Sequence, residues 1–453
     1  MIGLLVAGAL LQAPAAEQGA TTVRRPAGGE SHLDEEVARI GAQVSLLRHQ
    51  PFVRLPFAIR VPDAMLRVAA EIRALNVLPR ERLEARGRAW SDVGLGDGAT
   101  PRNLLFALAT DLDGIGFDSQ GQRLFVGPAR LRANDFEPTP ERNDPATLLQ
   151  LTGMRPDAPV LAHLLMHVRQ RERSGRDTLE QTTDRMLAAT AWAEGEANLV
   201  ALRTLFSGMQ VSTDVMDFLK SPGEVLDGRL LPIALQRTGD IEREFVNFVH
   251  VEGYARAAER FRAGGWAALD AAMAERRTTS DLLHPGRAPL SPPEFPAPRA
   301  PSEGLRLADE DSLGQQAIAI LVSTLTGKES LGLVAAEGWA GDRLRRWEGQ
   351  DDPGGQGGVT EWLSHWRAPG AESSGSAADP AADFAQAYRR AIEARCPGRK
   401  FVGGADSSLT LVSAERIYTL ERQGSAVRVL VGPLPAEPEP SPRPASRTPP
   451  APS

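Results

Sequence analysis

Apolar residues recur at intervals of three and four along several stretches of the chain, a spacing typical of helices with one buried face. The spacing predicts helices at Leu33–Arg48, at Asp63–Leu75 and near Pro101–Asp111. An extended segment at Pro56–Val61 separates the first two. Two short alternating segments between Gly114 and Gly127 flank Ser119-Gln120-Gly121 and predict a β-hairpin. Residues 32–131 are therefore expected to form an N-terminal α+β part.

The helical pattern dominates from residue 132 to residue 283, which predicts a helical core in this range. One core helix contains His163 and His167 and is apolar on most of its sides, so we expect it to lie centrally. A second helix is predicted at about Leu179–Ser207. The fold class expected from these patterns is α+β, mostly helical, with a small N-terminal sheet.

The C-terminal third begins with a Pro-rich connection at residues 284–303, which is expected to cross the surface in extended form. Residues 304–432 are predicted to be a helical part that ends in short strands. Its helices are predicted at Asp311–Leu325, Leu331–Trp347 and Ala381–Ala394, and its strands near Leu409–Val412, Arg416–Arg422 and Ala426–Val431. Residues 433–453 lack the apolar content needed to pack and are expected to be disordered.

Composition excludes two classes of partner. The chain has 453 residues, 42% of them hydrophobic, and a net charge of −7 with acidic and basic residues interspersed. Without a basic face, nucleic acid is not an expected partner. The apolar runs are too short for an integral membrane segment.

The first residues suggest export. An apolar stretch from Ile2 to Leu11 precedes Ala13-Pro14-Ala15, which has the small-x-small form of a signal-peptidase site. We therefore expect a signal peptide at residues 1–15, a linker at 16–31 and a periplasmic or extracellular location; the alternative is a frayed apolar N-terminus. Cys396 is the only cysteine, which excludes an intramolecular disulfide.

The segment HLLMH, from His163 to His167, has the histidine spacing of the zinc metallopeptidase motif HExxH. Two histidines four residues apart on a helix share one face and can bind one zinc ion. The residue after the first histidine, which in HExxH is the glutamate that takes a proton from the zinc-bound water, is Leu164. The alternative to a zinc site is a pair of histidines satisfied within the core.

A third ligand is predicted on the next helix, where Glu194 stands in the sequence AEGEA. Two neutral imidazoles and one carboxylate are a common zinc ligand set that leaves a fourth position open. The alternative for Glu194 is a solvated acidic side chain. The predicted metal ligands are thus His163, His167 and Glu194, and zinc is the expected cofactor.

Several segments resemble, in the same order, the gluzincin-type zinc metallopeptidases, most closely predicted bacterial and archaeal members. LAHLLMHVRQRE and ATAWAEGEANLV are similar to that group's AHELxHALQDQ and ALVEGDA. Further similar segments are DGIGFDSQGQRLFV, RAGGWAALDAAMAERRTTSDLLHPGR, ADEDSLGQQAIAILV and AAEGWAGDRL. The matches extend from about residue 111 to residue 394. The resemblance implies a zincin-like fold with a zinc site.

The chain also departs from this group. Leu164 replaces the catalytic glutamate, Gln315 replaces the glutamate of the LGE segment, and Gly286 replaces an acidic residue after His-Pro. His250 occupies a position that is usually tyrosine, which makes it a candidate for stabilising a transition state. The loss of two carboxylates beside retained histidines implies relaxed catalytic demand.

Three functions remain open. The first is a peptidase-like protein without peptidase activity, which binds an unknown protein or peptide with or without zinc. The second is an active metallohydrolase that uses another base. Glu196 is the nearest candidate base, although on a helix it points about 200° away from Glu194. The third is a metal-free structural or interaction protein.

Overall fold

The structure, a computed structural model, describes residues 30–109, 115–117, 123–126, 157–174, 181–206, 239–275, 278–287, 293–350, 352, 357–368, 379–403 and 408–434. The predicted signal peptide at 1–15 and most of the predicted linker at 16–31 lie outside these residues. The turn of the predicted hairpin and nearly all of the predicted disordered tail at 433–453 also lie outside them.

The described residues of the N-terminal part form four helices and a small sheet. Its elements are α1 (Glu30–Arg48), β1 (Phe57–Arg60), α2 (Asp63–Val77), α3 (Arg80–Val93), α4 (Thr100–Ala109), β2 (Ile115–Phe117) and β3 (Arg123–Val126). Strands β2 and β3 pair antiparallel, as the hairpin prediction requires. Strand β1 pairs with β3 in parallel, which gives a three-stranded sheet of order β1-β3-β2.

The helical core contains α5 (Asp157–Ser174), α6 (Thr183–Phe206), α7 (Asp240–Ala274) and α8 (Thr279–Leu283). Helix α6 packs against both α5 and α7, and α1 packs against α5 and α6. Helix α7 is kinked where Gly264 and Gly265 leave the helical conformation, and Gly265 has a φ of 65° that favours glycine. The predicted helix at Leu179–Ser207 is confirmed as α6.

The C-terminal part is built on a sheet. Its elements are β4 (Leu305–Asp311), α9 (Gly314–Thr326), α10 (Glu329–Ala336), β5 (Trp339–Gly349), β6 (Val359–Trp366), α11 (Pro380–Arg395), β7 (Val402–Gly403), β8 (Ser408–Val412), β9 (Arg416–Gln423) and β10 (Ala426–Pro433). The strands form one seven-stranded antiparallel sheet of order β4-β5-β6-β10-β9-β8-β7. Of the Pro-rich connection, residues 293–300 form neither helix nor strand and are mostly exposed.

The helix predicted at Leu331–Trp347 is wrong from Trp339 onward. Helix α10 ends at Ala336, Gly338 adopts a φ of 79°, and the chain continues as β5. This strand lacks a simple alternation of apolar and polar residues because its buried positions include Arg345 and Arg346. Strands β4 and β6 and helix α3 were likewise not predicted. A sheet therefore dominates the part that was expected to be mainly helical.

Buried residues from the helices and the antiparallel sheet form one large apolar cluster, and a second cluster joins α1, α5 and α6 with β1 and β3. The start of α6 is fixed to β4, because Asp311 accepts hydrogen bonds from the Thr183 backbone N–H at 2.8 Å and the Thr183 hydroxyl at 2.7 Å. The fold class is α+β, as predicted. None of the helices in the described ranges has the length and apolar character needed to cross a bilayer.

Candidate metal centre

The three predicted ligands converge where α5 meets α6. His163 Nε2 lies 3.0 Å from His167 Nε2 and 3.1 Å from Glu194 Oε2, and His167 Nε2 lies 3.4 Å from Glu194 Oε1. One ligand atom from each residue lies within 4.8 Å of the others. Ligands held tetrahedrally at about 2.0–2.1 Å from a zinc ion would lie about 3.3 Å apart. The separations therefore suit a shared metal ion.

The side chains of the three candidate ligands are largely shielded from solvent. The side chains of His163, His167 and Glu194 are 11%, 10% and 12% exposed. Burial by itself raises the pKa of the Glu194 carboxyl, but positive charge on His167 and His250 outweighs burial and holds that pKa well below its usual range. The carboxylate is thus favoured in its ionised form, which is the form that binds metal.

Gln170, one turn after His167, determines that a proton lies on the Nδ1 atom of that imidazole. Its amide nitrogen donates to the Ala193 carbonyl at 2.8 Å and to Glu196 Oε2 at 2.9 Å. Its Oε1 lies 2.9 Å from His167 Nδ1 and can only accept, so Nδ1 carries a proton, and a metal ion would bind the ring through Nε2. Gln170 was not predicted as a site residue, although its i+3 position on the helical face of His167 is visible in the sequence.

The donor set fits a metal ion on the evidence of its geometry. His167 Nε2 faces His163 Nε2 at 3.0 Å, so a proton or a cation is required between the two nitrogens. Glu194 Oε2 is buried, and within the described residues no hydrogen bond of good geometry reaches it, although His163 Nε2 is 3.1 Å away. A divalent cation would satisfy all three ligand atoms at once.

A close helix crossing holds the third helix against the site. A Cβ atom added to Gly195 would lie 2.1 Å from the Gly253 carbonyl oxygen, and one added to Gly253 would lie 2.0 Å from the Ala191 oxygen. Backbones of α6 and α7 therefore touch at these glycines. The contact brings His250, almost one turn before Gly253, to 3.6 Å from Glu194 Oε2 through its Nδ1 atom. His250 thus lies beside the ligands, with Asn198 Nδ2 3.4 Å from the same Nδ1.

Glu196 faces away from the cluster. Its side chain is wholly buried, with Oε1 2.7 Å from Arg48 and Oε2 3.0 Å from Arg173. Arg48, Arg173 and Gln170 thus hold both oxygens of the Glu196 carboxylate. Glu196, the candidate base if the protein is an active hydrolase, therefore has a structural role.

Leu164, Gln315 and Gly286, at which the chain departs from the gluzincin-type sequences, lie in two places. Leu164 is wholly buried and belongs to the apolar cluster formed with α1 and α6. Gln315, at the start of α9, has its amide nitrogen 2.8 Å from His284 Nε2. Gly286 follows α8 with a φ of 92°, a conformation that favours glycine over the acidic residue of the resembling group.

Comparison with known proteins identifies one domain. Residues 305–439 match a domain of unknown function, DUF8575. The matched range begins at β4 and contains all seven strands of the antiparallel sheet together with α9, α10 and α11. No curated protein and no solved structure matches the chain. The three candidate ligands lie outside the matched domain.

Proposed function

We propose that this protein is a metallopeptidase-like protein of zincin-like fold that binds one zinc ion or a similar divalent cation through His163, His167 and Glu194, and that it acts by binding a protein or peptide rather than by hydrolysing one. The observation that carries the metal site is the convergence of the three ligand atoms within 4.8 Å of one another on two packed helices. The segments that resemble gluzincin-type metallopeptidases support the fold and the ligand set.

The three ligands and Gln170 have different roles in metal binding. His163 and His167 supply imidazole nitrogens, Glu194 supplies the charged oxygen, and Gln170 orients His167. A zinc ion bound there would act as a Lewis acid towards a carbonyl oxygen. Hydrolysis also requires a base to take the proton of the attacking water, and Leu164 cannot accept a proton. Loss of such a base lowers the rate of hydrolysis by about 10²–10⁴-fold. Binding is therefore the activity that the residues of this site support.

Metal analysis of the full chain, purified without chelator, tests the first half of the proposal. We expect about one zinc per chain. The His163→Ala and Glu194→Gln variants should lose it. His49→Asn is the matched control, since it removes an exposed imidazole and asparagine tolerates the positive φ of 54° at this position. A folded natural chain that binds no divalent metal would refute the metal site.

Digestion of unfolded casein tests the second half. The natural chain with zinc should show no cleavage above that of His163→Ala. Zinc-dependent cleavage that disappears in His163→Ala would overturn the binding-only function. A Leu164→Glu/Gln315→Glu variant asks whether two carboxylates restore activity, but its folding must be checked first because Leu164 is wholly buried in an apolar cluster.

A further inference from the structure

A second place for a ligand lies between α3 and the C-terminal sheet, remote in sequence from the metal ligands. A cavity of about 640 Å³ opens there, within the usual size range of small-molecule sites. Four arginines and two carboxylates line it, an excess of two positive charges. The lining arginines are Arg88, Arg395, Arg399 and Arg416, and the carboxylates are Asp92 and Glu415.

Two of these arginines are already neutralised within the protein. Arg88 forms a two-pronged ion pair with Glu348 at 2.6 and 3.0 Å. Arg416 lies 3.0 Å from Asp92, which also binds the buried Arg346 at 2.6 Å. These pairs hold α3 to the sheet and leave little charge for a ligand.

The other two arginines differ. Arg395 donates to the Ser91 carbonyl oxygen at 2.6 Å, so it caps the C-terminal end of α3, but no described carboxylate forms a salt bridge with it. Arg399 is exposed and forms no salt bridge within the described residues. Both arginines line the cavity with Cys396; burial raises the pKa of this thiol, and the two nearby guanidinium groups partly offset that rise. Among the described residues, the lining groups Arg395, Arg399 and Glu415 thus form no salt bridge, which leaves one net positive charge in the cavity wall.

We propose that this cavity binds a small phosphate-bearing anion, held chiefly by Arg395 and Arg399. The planar guanidinium fork matches the oxygens of a phosphate group, and two guanidinium groups without a carboxylate partner among the described residues outweigh the single negative charge of Glu415. The Ser413 hydroxyl in the same wall already bonds to its own turn, where it accepts from the Arg416 backbone N–H at 2.8 Å. Recognition therefore rests on the arginines.

Calorimetric titration of the full chain with inorganic phosphate and with pyrophosphate, at constant ionic strength set by chloride, tests the proposal. We expect saturable binding of both. It should weaken about tenfold or more in Arg399→Gln, which removes one charge-assisted contact. Because Arg399 is exposed, this variant should fold as the natural chain does. The control is Arg67→Gln, which makes the same charge change on an exposed face of α2 that does not line the cavity.

The single cysteine provides an independent measurement. Cys396 lines the cavity and is the only cysteine of the chain, so alkylation by iodoacetamide reports on this place alone. Pyrophosphate should slow alkylation in the natural chain and in Arg67→Gln, and much less in Arg399→Gln. Absence of saturation up to about 10 mM, or equal affinity in Arg399→Gln, would overturn the proposal. Saturable binding of citrate without binding of phosphate would also overturn it, in favour of a carboxylate site.

Discussion

Arg48 of α1 and Glu196 of α6 form an ion pair at 2.7 Å in which both side chains are wholly buried. Arg173 of α5 binds the second oxygen of the same carboxylate, and Asp270 of α7 binds both arginines. One carboxylate therefore ties together the helices that surround the candidate metal centre. Its neighbour two residues earlier, Glu194, faces His163 and His167, so the Glu-Gly-Glu segment divides a structural role and a ligand role between its two acids.

Substitution at these two acids should separate stability from metal binding. Glu196→Gln leaves Arg48 buried without its full counter-charge, and we expect the free energy of unfolding to fall by about 3–5 kcal/mol. Glu194→Gln should leave the metal-free protein much closer to the natural chain in stability, while it abolishes stoichiometric zinc. Urea unfolding in the presence of chelator and metal analysis measure the two effects. Loss of zinc from folded Glu196→Gln would contradict this division of roles.

The hydrogen bond from Gln170 to His167 predicts an indirect effect on affinity. Gln170→Ala removes the acceptor that keeps the His167 proton on Nδ1, so zinc affinity should fall by about 10–100-fold without loss of the one-to-one stoichiometry. Titration against a chromophoric chelator measures the affinity. Gln316→Ala, a half-buried glutamine on α9, is the control and should have no effect on zinc. Equal affinity of Gln170→Ala and the natural chain would show that His167 does not need this partner.

The crossing of α6 and α7 requires glycine. Gly253→Ala places a Cβ atom 2.0 Å from the Ala191 carbonyl oxygen, which neither backbone can avoid without separation of the helices. We expect a loss of about 1–3 kcal/mol in the free energy of unfolding. Gly98→Ala is the control, because no atom lies within 4 Å of its added Cβ. Thermal unfolding followed by circular dichroism compares the two, and equal stabilities would argue against a close crossing.

Stability should depend on pH through Asp184 at the start of α6. Burial raises the pKa of this carboxyl from 3.8 to about 7, against the lowering effect of hydrogen bonds from Thr279. Between these two values the folded chain holds one more proton than the unfolded chain, so a rise in pH removes stability. The loss amounts to about 1.4 kcal/mol per pH unit at most and ends above about pH 7.

Asp184→Asn should remove this component of the pH dependence, since its side-chain oxygen can still accept from the Thr279 N–H and hydroxyl. The measurement is urea unfolding of both chains from pH 4 to pH 8. The stability of the variant relative to the natural chain should increase as pH rises towards 7. A constant difference over this range would show that Asp184 ionises normally.

Much of the secondary structure follows from local sequence. Helices α1, α2, α5, α6 and α11 and strands β8, β9 and β10 lie close to their predicted positions, because apolar spacing reports which face of an element is buried. The pairing of His163 with His167 is also local, since residues four apart share a helix face. The choice of Glu194 as their partner required only the expectation that the next core helix packs against the first.

Tertiary structure decided the rest, and the physical reason is buried charge. Strand β5 was read as helix because its core positions include Arg345 and Arg346, whose compensating carboxylates come from Glu310 and Asp92 on other elements. Helix α3 was missed for the same reason, since its buried Arg86 pairs with Asp309 of β4. Burial of an arginine is tolerable only beside its counter-charge, and spacing along the chain does not record which distant residue supplies it. The same holds for Glu196, which the sequence offered as a candidate base and whose partners Arg48 and Arg173 lie on two other helices.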